Sequence, residues 1–197
     1  MIERLVKLAA SLMCVLALVA CSNKAPAEAA LKAADEAVAQ AKATAAKLVP
    51  DQMQSLEASL AAAKDKFGKG DYKGAIADAQ ALPGKAKDVL AAAEAKKAEL
   101  TASWSNLSEG LPKMAEAIKS RVDILSQSKK LPQNVTAENF AAAKTNLAEI
   151  SDGWAKAQEA FKAGDLGAAV ASANTLKDKA VKSLELLGMP VPPAAKS

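Results

Sequence analysis

Phe67-Gly68-Lys69-Gly70-Asp71-Tyr72-Lys73-Gly74-Ala75-Ile76-Ala77-Asp78-Ala79-Gln80-Ala81-Leu82 returns later in the chain as Phe161-Lys162-Ala163-Gly164-Asp165-Leu166-Gly167-Ala168-Ala169-Val170-Ala171-Ser172-Ala173-Asn174-Thr175-Leu176. Phe67, Gly70, Asp71, Ala75, Ala77, Ala79 and Leu82 each recur 94 positions on. The chemistry of the repeat is that of a helix corner. Glycine ends one helix at positive φ without a Cβ penalty, and aspartate then caps the free amides of the next. The phenylalanine closes the corner, and the small residues that follow let the second helix pack closely. Phe67, Gly70 and Asp71, with Phe161, Gly164 and Asp165, therefore mark two corners built on one plan. The corner is similar to that of tetratricopeptide hairpins, but no ~34-residue period runs through the chain.

Apolar residues recur at spacings of three and four on both sides of these corners, the signature of helices buried on one face. A first helix is read from Pro26 to Leu48, with Leu31, Ala34, Val38, Ala41 and Ala45 inward. Asp51 is expected to cap a second, with Gln54 as its capping-box partner and Met53, Leu56, Leu60, Ala63 and Phe67 inward. A third starts at Tyr72 and is expected to kink or split at Pro83-Gly84. A fourth runs from Ser108 or Leu111 to Ser128, a fifth is capped by Thr136, and a sixth runs from Leu166 to Gly188.

Composition agrees with that reading. Alanine dominates, aromatics make up only 3%, and the 9 glycines and 8 prolines sit mostly at segment ends. The expected fold is all-α: an elongated antiparallel bundle of about six helices, in two related hairpins at about 26–107 and 108–188. Residues 189–197 form a Pro-rich tail, read as disordered.

The chemistry open to this chain is narrow. It has no histidine and 2 cysteines, which removes the commonest general base and metal ligand. No carboxylate spacing matches a metal-binding loop, so no metal site and no catalytic residues are assigned. The net charge of +4 is spread along the chain without a basic stripe, which argues against nucleic acid. Lys64, Lys66, Lys69 and Lys73 are read as a solvated face with helical partners, against the alternative of lipid headgroups or acidic cell wall. Trp104 and Trp154 fall on apolar stripes. They are read as core, and as the candidate lining of a groove together with Phe161.

The N-terminus carries a different signal. Arg4 and Lys7 precede the apolar run Leu8 to Ala20, which is too short to cross ~30 Å of hydrocarbon as a helix. The run ends in Leu18-Val19-Ala20-Cys21. That stretch resembles the lipobox of bacterial lipoproteins; the competing reading is a signal anchor or a buried helix that contains a cysteine. The resemblance implies removal of residues 1–20, diacylglycerol on Cys21, and an N-acyl chain such as palmitate. Two or three chains make release from a membrane very slow. Ser22 after the cysteine implies sorting to the outer membrane, facing the periplasm. Residues 21–25 are then a short tether, with a reach of ~13 Å at ~3.3 Å per residue.

The segments Ala27 to Pro50, Leu56 to Lys66 and Gly70-Asp71-Tyr72 to Ala79 resemble a group of uncharacterised Ala-rich helical envelope lipoproteins of Gram-negative bacteria. The resemblance implies no catalytic residues. The expected function is a non-enzymatic, lipid-anchored module that binds envelope protein or peptidoglycan and takes no cofactor beyond the lipid on Cys21. The alternative is a periplasmic carrier or holdase with an apolar groove; an enzyme is the weakest reading.

Overall fold

The structure, a computed structural model, describes residues 23–193. The signal run, Cys21, Ser22 and the last four residues lie outside that range. The described residues form five α-helices and no strand: α1 Lys24–Ala45, α2 Pro50–Gly68, α3 Tyr72–Gln127, α4 Ala137–Lys162 and α5 Leu166–Leu186. Two compact units divide between Lys96 and Lys97, within α3.

The all-α class follows from the stripes, because most residues read as inward are buried, and Leu60 and Phe67 are half-buried against the same core. In the first unit, Leu31, Ala34, Val38 and Ala41 of α1 meet Met53, Leu56 and Ala63 of α2. Ala79, Leu82, Ala86, Val89 and Ala93 of α3 complete that core. In the second unit, Leu111, Met114, Ile118, Val122 and Leu125 of α3 pack with Ala143 and Ile150 of α4. Leu176, Ala180 and Leu184 of α5 close it. Each unit is thus a three-helix packing around one core. Within the first, Lys42 pairs with Glu57 and Lys64 with Asp35, at 2.7 and 2.6 Å. Numbers that rise along α1 meet numbers that fall along α2, so the two helices run antiparallel.

The described residues form five helices where the sequence predicts six. The third and fourth expected helices are one continuous element, α3, which runs through both Pro83-Gly84 and Gly110-Leu111-Pro112. A mid-helix proline removes one backbone hydrogen bond and costs about 3 kcal/mol. The buried stripe keeps its phase across both prolines, with Leu82 and Ala86 on either side of Pro83, and Leu111 and Met114 around Pro112. Burying a leucine-sized side chain contributes about 1.5–3 kcal/mol. Several such residues on each side outweigh one lost bond.

The start of α2 also differs from expectation. Val49 occupies the N-cap position without a side-chain bond, and Pro50 stands at the first helical position. The fixed φ of proline suits that position and needs no donor. Asp51 therefore lies inside the first turn, where its charge faces the positive end of the helix dipole.

Candidate functional site

Both repeated corners are built alike. The Gly70 N–H donates to the Phe67 carbonyl and the Asp71 N–H to the Lys66 carbonyl, each at 3.0 Å. The Gly164 N–H donates to the Phe161 carbonyl at 3.0 Å, and the Asp165 N–H to the Ala160 carbonyl at 2.9 Å. This is the paired closure of a helix C-terminus around a left-handed glycine, with φ of 82° at Gly70 and 78° at Gly164. The same aspartate then starts the next helix. An Asp71 carboxylate oxygen accepts from the Gly74 N–H at 2.9 Å, and one of Asp165 accepts from the Ala168 N–H at 3.2 Å. One residue finishes one helix and opens the next, which leaves no slack in the corner. Asp71→Ala and Asp165→Ala are each expected to cost about 1 kcal/mol, with the Asn variants nearly neutral; urea denaturation of the four single variants measures this.

The corners diverge in their aromatics. Phe67 meets Tyr72 edge-on, with centroids 5.2 Å apart and planes at 62°. Phe161 instead stacks on Trp104 at 4.5 Å and 8°, and Trp154 stacks on Trp104 at 5.1 Å and 13°. Trp154 and Phe161 are seven residues apart on α4, a rise of about 10.5 Å. The two centroid separations nearly span that rise, so Trp104 is held between the other two rings. Both its faces are taken, and the residue is 9% exposed.

The lysine face is largely self-satisfied. Lys64 pairs with Asp35, Lys66 with Asp78 at 2.7 Å, and Lys69 with Asp65 at 2.7 Å. Lys66 donates a hydrogen bond to the Asp78 carboxylate, which holds its ammonium above the usual lysine pKa. Lys179 pairs with Glu149 across α4 and α5. Among the described residues no group of three or more His, Cys, Asp or Glu could hold a metal ion. No described helix is long and apolar enough to cross a membrane.

The second unit also carries a cleft of about 890 Å³ between α3, α5 and the segment that follows α5. Leu107, Leu111 and Met114 of α3 and Leu184 of α5 give it an apolar lining, with Met189 and Pro190 beside them. The segment after α5 is placed by a third glycine closure. Gly188 has φ 65°, and the Met189 N–H donates to the Leu184 carbonyl at 2.8 Å. Met189 and Val191 then pack on the core of the second unit. Asn106, Glu109, Lys113, Asn174 and Lys177 supply the polar lining. Trp104, Trp154 and Phe161 are not among the lining residues. The sequence did carry one local trace of this cleft: Gly110 and Pro112, two poor helix formers within one turn of an otherwise good helix.

A second space of about 620 Å³ lies between α3 and α4. Glu116, Lys119, Asp123 and Lys144 line it with mixed charge.

No protein-family model, curated protein or solved structure matches this chain. What stands is an all-α protein of two three-helix units, one of which holds an apolar cleft.

Proposed function

We propose that this chain is a lipid-anchored, non-enzymatic component of a bacterial envelope. In this reading it is held at the periplasmic face of the outer membrane by acyl chains on Cys21, and its helical units bind or space envelope protein or cell wall. The observation that carries the reading is Leu18-Val19-Ala20-Cys21 at the end of a short apolar run behind Arg4 and Lys7. Helix α1 supports it by starting at Lys24, which leaves only Ser22 and Asn23 between the anchor cysteine and folded chain. The anchored protein would then begin at the membrane surface.

The test is Cys21→Ser in the full chain, expressed in a Gram-negative host. The wild type is expected in the outer-membrane fraction, shortened by 20 residues and carrying the mass of its acyl chains. The variant is expected to lose the lipid mass and the processing in front of residue 21. Unchanged processing and fractionation would remove the reading. Photo-crosslinking in cells from Lys73 and Ala168, exposed positions beside the two corners, then identifies the partner.

A carrier is the second reading. The cleft of the second unit is the observation that favours it.

A further inference from the structure

We propose that Met189 is an oxidation site that latches the chain after α5 onto the second unit. Hydrogen peroxide converts it to the sulfoxide, which releases the strap of residues 189–193 and opens the seam between α3 and α5 to solvent. The latch stands whether or not Cys21 is acylated, because every residue in it belongs to the second unit.

The strap has few attachments. Residues 190, 192 and 193 are prolines and have no N–H to donate. Among the described residues, the strap makes one hydrogen bond, from the Met189 N–H to the Leu184 carbonyl. Half-buried Met189 and Val191 pack against the core of the second unit, while Pro190, Pro192 and Pro193 are exposed. The hold therefore rests on two apolar side chains and one backbone bond.

Met189 is also the methionine that solvent reaches most easily. The other two among the described residues are Met53, 3% exposed, and Met114, 6% exposed. Met189 is half-buried and lines the cleft, which is open on one side. In the reaction its sulfur lone pair attacks one peroxide oxygen, so that an S–O bond forms and the O–O bond breaks. The proton of the transferred oxygen joins the departing hydroxide, which leaves as water. Sulfur loses two electrons and the peroxide gains them. An apolar thioether becomes a polar sulfoxide. Burying that oxygen without a donor is unfavourable, so the oxidised side chain turns to water and leaves Val191 alone on the core. A methionine sulfoxide reductase restores the latch.

Met114 reports the release. It lines the same cleft from α3, so it gains access to peroxide when the strap leaves. Met53 lies in the first unit and serves as the reference.

The experiment exposes the folded full chain, in peroxide-free detergent, to hydrogen peroxide and follows each methionine by peptide mass spectrometry. Met189 is expected to oxidise at least about tenfold faster than Met53. Met114 is expected to lag, then to speed up at least about threefold once Met189 is converted. Met189→Leu keeps an apolar latch that peroxide does not attack, and Met114 should then stay slow throughout. Met189→Gln puts a polar group in its place, and Met114 should be fast from the start. The near-UV signal of the Trp104–Trp154 stack, in the same unit but outside the cleft lining, should persist in the oxidised protein and in both variants. The proposal is overturned if Met189 reacts no faster than Met53, or if Met114 reacts at one rate in the Leu and Gln variants. Loss of the near-UV signal on oxidation overturns it too, because the unit would then unfold rather than unlatch.

Discussion

Trp104→Ala is expected to cost about 3–5 kcal/mol, the range for truncating a large buried aromatic. The side chain is 9% exposed and stacks on two rings at once. Each such pair contributes about 0.5–1.5 kcal/mol beyond the area it buries. Removal of Trp104 leaves Trp154 and Phe161 facing a gap that α4 cannot close, because both rings are fixed to one helix about two turns apart. For a unit of about 100 residues, a loss of that size lowers the melting temperature by more than about 10 °C. Urea denaturation followed by far-UV circular dichroism measures the loss. The near-UV signal of the stacked indoles should vanish with it. Trp104→Phe keeps a ring between the two partners and is expected to recover at least half of the stability. A change below about 1 kcal/mol for the Ala variant would mean that the stack is not part of the core.

Leu82→Ala is the matching prediction for the first unit, with an expected cost of about 2–5 kcal/mol. That core is rich in alanine: Ala34, Ala41, Ala63, Ala79, Ala86 and Ala93 fill much of it. Close packing of small residues brings helices together but buries little area per residue. Leu82 is 1% exposed and is the one side chain of the first unit among the largest fully buried ones of the described chain. It also stands directly before Pro83, where the α3 ladder lacks a donor. Its contacts with α1 and α2 are therefore what holds α3 in the core at its weakest point. Amide hydrogen exchange is the informative measurement. Protection should fall in α1, α2 and the start of α3. If protection in these helices is unchanged, the alanine seam suffices on its own.

The corners show how far local chemistry reaches. Phe67, Gly70 and Asp71 act within six residues of one another, as do Phe161, Gly164 and Asp165, and the hydrogen bonds that close them need nothing from the rest of the chain. The stripes were equally legible, because a period of three and four is a property of one helix at a time. The start of α2 was misread by two residues, since Asp51 and Pro50 both carry helix-start signals and the sequence does not rank them. At Pro83 the sequence leaves a kink or a split open, and α3 does not split there. The local effect of the proline is to break a helix, and the opposing term is the burial of Leu82, Ala86 and Val89 against helices that come earlier in the chain.

The aromatic stack and the cleft lie further out of reach. Trp104 meets residues 50 and 57 positions away, and their pairing depends on how α3 and α4 are rotated about their own axes. The cleft exists because the chain after Gly188 turns back toward α3 and because Gly110 faces that space; neither fact is a periodicity. Helix, corner and buried face were written into this chain residue by residue, since each is settled by backbone conformation and a few neighbours. The number of helices, the partner of each tryptophan and the cleft of the second unit came from packing, where distant burial energies of several kcal/mol compete and the larger total prevails.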